Sequence, residues 1–287
     1  MSILINRRTR VITQGMTGLG GRLHTARCRA YAYGRKCFVA GVTPGKGGQV
    51  MDGVPVFDTV RAARAATGAD VSVIYVPPLL AAGAILEAVD AELDLAVCVT
   101  TGVPDADMDR VLERMRGSRT RLLGPNCPGL VVPGDIAVGI LPAENFASGR
   151  MGVMSRTGAR GPDIARRLAA SGMGLSTVVG IGGDAMGGLR FIDVMRLFDA
   201  DPGTDGVLMV DELGANSPLD AAQERDLANW LRDHPHKPVA ALLLGTGPAA
   251  DARAATLANY GVRVGRDVEA MGDLLAALVA PECLPFD

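Results

Sequence analysis

The sequence predicts the α/β class: two doubly wound parallel sheets in tandem. Three observations carry this. Short, nearly continuous apolar runs rich in β-branched residues recur along the chain, and such runs mark parallel strands covered on both faces. Segments with helical spacing separate them. A glycine turn, Gly15-Met16-Thr17-Gly18-Leu19-Gly20-Gly21, joins the first strand to the first helix, where glycines let backbone and ligand approach closely.

The elements follow in order. Val11 to Thr13 is the first strand, and the first helix runs through Leu23, Ala26 and Ala30. The second strand is Cys37 to Val42. A brief extended piece, Val54 to Phe57, precedes a helix from about Asp58 to Thr67. Val71 to Val76 is a strand that Pro77-Pro78 ends, and Leu79, Leu80, Ala84, Ile85, Ala88 and Val89 give a helix. Leu95 to Thr100, a helix through Met108, Val111, Leu112 and Met115, and Arg121 to Gly124 complete a five-stranded parallel sheet. Gly124-Pro125-Asn126-Cys127-Pro128-Gly129 is dense in turn formers. It divides a first domain, 1–125, from a second, 126–287, whose residues 126–150 connect the two. Strands at Gly152 to Ser155, Ser176 to Gly180, Gly206 to Val210, Pro238 to Leu244 and Val262 to Val264 alternate with helices near Ala159 to Ala170, Gly188 to Phe198, Pro218 to Arg232 and Ala250 to Tyr260. A last helix passes through Val268, Met271, Leu274 and Leu275. The βα alternation makes the second sheet doubly wound as well.

Composition narrows the classes. The chain has 287 residues, 48% hydrophobic and 21% charged, enough for two packed cores. A net charge of −2 with scattered acids and bases leaves no nucleic-acid footprint. Met1 to Arg10 lacks the apolar core of a signal peptide, and no apolar run reaches a membrane span. Five cysteines, Cys28, Cys37, Cys98, Cys127 and Cys283, have no metal-ligand spacing; a reduced cytoplasm is the simplest setting, with no metal site.

The glycine turn opening a helix is a phosphate-binding corner. A nicotinamide dinucleotide would want an acid near the end of the second strand to hold a ribose hydroxyl. That end reads Thr43-Pro44-Gly45-Lys46-Gly47-Gly48 instead. A lysine in a second glycine-rich loop suits a further phosphate near the adenosine ribose. Coenzyme A fits this pattern and NAD does not. The plainer alternative is that 44–48 is only a mobile connector.

The motifs Gly15-Met16-Thr17-Gly18, Gly41 to Gly48, Tyr75-Val76-Pro77, Gly124 to Gly129, Ser155-Arg156-Thr157-Gly158 and Gly180-Ile181-Gly182-Gly183-Asp184 resemble the α subunit of succinyl-CoA synthetase, in order and spacing over nearly the whole chain. The resemblance implies a Rossmann-like CoA-binding domain followed by a flavodoxin-like ligase domain. It implies a β-type partner with an ATP-grasp fold, carrying ATP or GTP with Mg, and a small carboxylic acid substrate. In the family a carboxylate is joined to CoA as NTP is cleaved, and a histidine on the α subunit relays the phosphate. Residue by residue, Thr17, Gly18, Leu19, Gly20, Lys46, Val99, Thr100 and Thr101 match CoA-binding positions. Asn126, Cys127 and Pro128 match the loop near the thiol and acyl end. Ser155, Thr157 and Gly158 match the substrate- and phosphate-binding loop of the ligase half.

The chain departs from this pattern in its second half. The family commonly has an acid where Thr101 stands. Pro162 occupies the place of a substrate-contacting tyrosine. The family's Gly-His-Ala-Gly loop should follow the strand 239–244, yet here Gly245-Thr246-Gly247-Pro248 runs straight into a helix. The three histidines are His24, in the first helix, and His234 and His236, before Lys237-Pro238 at the other end of that strand. The last two read as a solvated helix-end or loop pair. Glu212 matches the acid that steadies the phosphohistidine; a relic, a general base and a structural acid all stay open for it. Cys127 has no neighbouring cation in sequence to activate it and reads first as a packing residue. Three functions are weighed. The first is a CoA-binding α-type subunit of an NDP-forming acyl-CoA synthetase, or of a related acyl transferase, working without the phosphohistidine. The others are a non-catalytic CoA-sensing or scaffold subunit and, on the Rossmann pattern alone, an NAD-dependent oxidoreductase.

Overall fold

The computed structural model describes residues 2–156, 161–184, 186–212, 221–234 and 237–279. The chain divides into two compact units. The first comprises Leu4–Glu144 and Gly180–Leu189; the second comprises Met1–Ile3, Asn145–Val179 and Arg190–Asp287.

In the first unit the elements are β1 (Val11–Gln14), α1 (Leu19–Ala30), α2 (Gly34–Cys37), β2 (Phe38–Val42), β3 (Val50–Met51), β4 (Val54–Phe57), α3 (Val60–Thr67), β5 (Val71–Ile74), α4 (Pro78–Asp90), β6 (Leu95–Cys98), α5 (Asp105–Met115) and β7 (Arg121–Leu123). The sheet order is β3-β4-β2-β1-β5-β6-β7. β3 runs antiparallel to β4, and the remaining pairs are parallel. Without β3 the order is that of a dinucleotide-binding fold, 3-2-1-4-5-6, with its topological switch between β1 and β5. The expected five strands are thus joined by two more. The piece Val54 to Phe57 pairs with β2, and β3 folds back onto it with Val50 opposite Pro55. Proline lacks the N–H of a full ladder, which fits this marginal edge pairing.

Helix caps follow local chemistry. Thr59 caps α3 by accepting the Ala62 N–H, and Gly68, at φ 66°, ends it in the left-handed region. Pro78 opens α4, where its fixed φ and missing N–H are harmless. The buried stripe differs from the expected one on α1 throughout and on α4 only at its start. On α1 the buried residues are Gly21, Thr25 and Cys28, while Leu23, Ala26 and Ala30 face outward. On α4 the stripe is Ala81, Ala82, Ala84, Ile85, Ala88 and Val89. Leu79 and Leu80 stand 79% and 61% exposed. Ile85, Val89, Val111 and Ile12 share one core beneath α3, α4 and α5; full burial of each such side chain contributes about 1.5–3 kcal/mol.

The segment expected to be a plain connector holds an antiparallel hairpin, β8 (Gly129–Val132) and β9 (Ile136–Gly139), then a 3₁₀ turn at Ala143–Asn145. The second unit continues with β10 (Ser148–Arg156), α6 (Gly161–Ala170), β11 (Leu175–Gly180, its last residue counted with the first unit), α7 (Phe191–Ala200), β12 (Gly206–Glu212), α8 (Ala221–Asp233), β13 (Val239–Leu244), α9 (Pro248–Asn259), β14 (Arg263–Gly265) and α10 (Met271–Val279). Its strands lie in the order β14-β13-β12-β10-β11. Numbered within the unit this is 2-1-3-4-5, the flavodoxin-like order, with the switch between β10 and β12. The sequence-expected architecture, a Rossmann-like sheet followed by a flavodoxin-like one, is the one observed.

Candidate functional site: two switch points

In open α/β sheets ligands bind beyond the carboxyl ends of the strands at the switch point. In the first unit that place is the β1–α1 corner beside the β5–α4 corner. Gln14 closes β1 from within: its buried amide donates to Ser72 Oγ and Ala84 O, both at 2.9 Å, and so ties β1 to β5 and α4. Gly15 then turns at φ 81°. A Cβ on Gly21 would lie 2.2 Å from the Gly15 carbonyl oxygen, so α1 packs against the turn only because Gly21 has no side chain. Gly18 is the N-cap in extended conformation, without a side-chain cap, and no acid stands in the first turn of the helix. The helix start therefore presents backbone N–H groups and a positive dipole end to an anion.

The two glycine-rich loops are joined. Thr17 donates through its hydroxyl (3.2 Å) and its N–H (3.5 Å) to Thr43 Oγ1, which donates in turn to Val42 O at 2.8 Å. Thr17 is half-buried, and Gly18, Leu19, Gly20 and Lys46 are exposed. A second cluster forms across β5, β6 and the turn after β7. Thr100 donates to Val76 O at 2.7 Å, and its own carbonyl accepts the Asn126 N–H at 2.9 Å. Val99 and Thr100 are half-buried and Thr101 is exposed. β1 and β6 are separated by one strand, so the two clusters stand about 10 Å apart across the sheet.

The turn 124–129 is gripped from a distance in sequence. Gly188 N–H donates to Gly124 O at 3.0 Å and Leu189 N–H to Leu122 O at 2.7 Å. The Asn126 side-chain amide donates to Asp184 Oδ1 at 2.8 Å, and Asn126 itself is left-handed at φ 54°. Within the turn, Cys127 is buried, with its thiol directed at the carbonyls of Cys98 and Leu123. Burial pushes that thiol far up, and it pushes Cys98 up to about 12. Cys127 thus presents no thiolate to a ligand. Pro128 is half-buried.

At the second switch point Ser155 and Arg156 end β10, and Asp211 and Glu212 end β12. Thr157 and Gly158 lie outside the described residues, as do His236 and Cys283. Arg156 is the register partner of Asp211, so their side chains share a face, and Glu212 points to the opposite one. Asp211 is fully buried and takes Arg156 Nε and Nη2 at 2.9 and 2.8 Å, with Arg253 Nη1 of α9 at 2.6 Å. Both guanidiniums lie over the Phe191 ring, 5.4 and 5.6 Å from its centroid. Charge-assisted, partly bidentate contacts of this kind are strong and geometrically specific. The family motif points to Glu212, and nothing local in the sequence marks Asp211. The only signal available was a carboxylate paired in register with an arginine, since Arg253 comes from a helix 42 positions on. Three residues separate the end of β13 from α9, which has Pro248 in its first turn. His234 is half-buried and stacks on Trp230 at the end of α8, 4.6 Å between centroids, with Nδ1 2.9 Å from Trp230 O. His24 stacks on Tyr75 within the first unit. Among the described residues no group of three His, Cys, Asp or Glu is placed to hold a metal ion, and no helix is long and apolar enough to cross a membrane.

A backbone-lined anion corner at a Rossmann switch point defines a nucleotide-binding domain. Residues 6–102 match the CoA binding domain family. The α subunit of ADP-forming succinate–CoA ligase from Staphylococcus aureus (strain Mu50) is 44% identical over 245 residues, 85% of this chain and 78% of that protein. Its counterpart from Staphylococcus epidermidis (strain RP62A) is 43% identical over the same span. The chain belongs to the succinate–CoA ligase α-subunit family. Two solved structures share the fold. The dinucleotide-forming acetyl-coenzyme A synthetase 1 of Ca. Korarchaeum cryptofilum, in complex with phosphate and ADP, matches at TM-score 0.73 and 21% identity over 95% of this chain. The ATP citrate lyase of Methanosaeta concilii, in complex with (3S)-citryl-CoA, matches at TM-score 0.80 and 19% identity over 99% of it. This chain spans 61% and 52% of those two chains.

Proposed function

We propose that this chain is the CoA-binding α-type subunit of an NDP-forming acyl-CoA ligase, or of a related acyl transferase, and that it works without a phosphohistidine. The observation that carries the CoA assignment is the linked pair of glycine loops within the matched CoA-binding domain. Thr17 to Gly20 offer backbone N–H groups to one phosphate and Lys46 an ammonium to another. Val99 to Thr101 and Asn126 to Pro128 line the path of the pantetheine arm. CoA supplies the thiol that becomes the thioester. A β-type ATP-grasp partner brings ATP or GTP with Mg, and a small carboxylic acid is the acyl donor.

No histidine follows His236 in the sequence, and the direct β13–α9 connection leaves no loop to carry one. An acyl phosphate formed on the partner needs no histidine carrier, because the carboxylate itself attacks the terminal phosphate and NDP leaves. Ser155, Thr157, Gly158 and Glu212 are assigned to the phosphate and acyl end. A non-catalytic CoA-sensing subunit is the second reading; the buried Arg156–Asp211–Arg253 cluster, which satisfies its own carboxylate, favours it. The test is reconstitution with a β-type partner, ATP, CoA and a panel of short carboxylic acids, with acyl-CoA followed by mass. CoA-dependent acyl-CoA and NDP support the ligase. CoA binding with no product across a broad panel removes the ligase version in favour of the binding subunit.

A further inference from the structure

The motif Thr43-Pro44-Gly45-Lys46-Gly47-Gly48 carries the one lysine of the candidate site, yet that loop is held by a residue outside both motifs. The Gly47 N–H donates to Asp58 Oδ1 at 2.9 Å. A Cβ built on Gly47 would meet Asp58 Oδ2 at 2.4 Å and its carboxyl carbon at 2.7 Å. The carboxylate of the exposed Asp58 therefore lies against the Gly47 backbone. A side chain at position 47 would displace the Asp58 carboxylate, whereas Gly45 and Gly48 turn the chain at φ 74° and 84°.

Asp58 sits on a rigid corner. It follows the last residue of β4, whose Phe57 carbonyl accepts the Thr43 N–H at 3.0 Å, so both ends of the loop are pinned to one strand. Thr59, next in the chain, caps α3. The Val60 N–H donates to Glu87 Oε1 at 3.3 Å and ties the same corner to α4. Further along the loop, Gly48 N–H donates to Val56 O at 3.0 Å and Lys46 N–H to Thr43 O at 3.1 Å. Lys46 is exposed, and no ion pair involves it among the described residues.

We propose that Asp58 is a positioning residue for CoA: it fixes the backbone of the Lys46 loop, so that the ammonium is presented to a ligand phosphate in one geometry. The inference rests on the reading that CoA binds here with Lys46 on a phosphate near the ribose. Asp58 acts through the loop and not by touching that phosphate. A carboxylate facing a phosphate would repel it, but here its Oδ1 is engaged by a backbone N–H. The sign of two substitutions follows. Asp58→Asn keeps an oxygen acceptor and removes a negative charge, so CoA binding stays within about twofold of wild type or tightens. Asp58→Ala removes the acceptor and frees the loop, and CoA binding weakens about tenfold, the scale of one hydrogen bond to a charged group.

The experiment titrates CoA and dephospho-CoA, which lacks the ribose phosphate, into the full-length wild type, Asp58→Ala, Asp58→Asn, Gly47→Ala, Lys46→Ala and the Gly47→Ala/Asp58→Ala double variant. Amide exchange at Gly47 is followed in parallel. The expected result has four parts. Asp58→Ala loses CoA affinity while dephospho-CoA affinity holds. Asp58→Asn behaves as wild type. Gly47→Ala weakens CoA in the wild-type background but not further beside Asp58→Ala, where its methyl finds space. Gly47 exchange accelerates in Asp58→Ala only. The proposal is overturned if Asp58→Ala binds CoA as wild type does, if Asp58→Asn falls as far as Asp58→Ala, or if both ligands weaken equally. Wild-type chain that binds no CoA, or Lys46→Ala that binds it undiminished, removes the underlying reading, and the inference with it.

Discussion

The two switch points are built on the same topological plan and filled in opposite ways. The corner at β1 and β5 is backbone-lined: an uncapped helix start, two glycine loops latched by Thr17 and Thr43, and exposed leucines at positions 19, 79 and 80. The corner at β10 and β12 holds a carboxylate at 0% exposure between two guanidiniums stacked on one phenylalanine. The first leaves its donors available for a partner that is not part of the chain. In the second, one buried carboxylate is shared by two guanidiniums.

Removing one partner from each corner is the sharpest way to break this contrast. Asp211→Ala leaves two guanidiniums without their shared carboxylate, Arg253 among them at 4% exposure. The expected cost is about 3–5 kcal/mol in urea unfolding, with CoA affinity of the remaining folded protein unchanged. A cost below 1 kcal/mol would mean that the cluster behaves as a surface pair. Gly21→Ala forces a methyl onto the Gly15 carbonyl; about 1–3 kcal/mol is lost to overpacking, and CoA binding falls with it. Thr43→Val cuts the latch between the loops. It should weaken CoA by about 1 kcal/mol and leave the unfolding midpoint nearly in place, separating a binding device from a stabilising one. The double substitution Leu79→Ala/Leu80→Ala should change stability by less than about 0.5 kcal/mol, whereas Ile85→Ala on the same helix costs about 2–5 kcal/mol.

The first unit also carries a pH signature that the second need not share. Burial raises the Asp70 carboxyl above its ordinary value, only partly offset by the Arg10 N–H that it accepts. The folded state therefore holds this proton more tightly than the unfolded chain does. The resulting contribution is full below the unfolded pKa and is lost as pH rises through the folded one. Asp70→Asn should flatten the stability profile across the acidic range, as seen by urea titration at stepped pH; a slope equal to that of wild type would show that another group carries it.

Much of this was legible in the sequence because strand identity is a local property. The runs at 71–76, 95–100 and 206–210 could be little else; βα alternation marks the doubly wound class, and the family resemblance the Rossmann-like and flavodoxin-like types. The glycine turn was readable because its chemistry is contiguous. Periodicity identified α1 but not its buried side, whereas on α4 it found Ala84, Ile85, Ala88 and Val89 of the buried stripe: Leu23, Leu79 and Leu80 look like core residues until the sheet is placed, and on α4 Ala81 and Ala82 are packed in place of the two leucines. The hairpin 129–139 was hidden because glycine and proline bracket strands of four residues. What no local reading yields is pairing across long separations. The grip of Asp184, Gly188 and Leu189 on the turn at 122–126, the Arg156–Asp211–Arg253 cluster and the hold of Asp58 on Gly47 each join residues that only the fold makes neighbours.

The central claim is that the first corner takes CoA and not a nicotinamide dinucleotide. Calorimetric titration of CoA into the full chain, repeated in the presence of excess NAD and with Lys46→Ala, tests it most directly. CoA binding should be saturable, undisplaced by NAD, and about tenfold weaker in Lys46→Ala, by the loss of one charge-assisted contact. NAD displacing CoA, or CoA binding indifferent to Lys46, would contradict it.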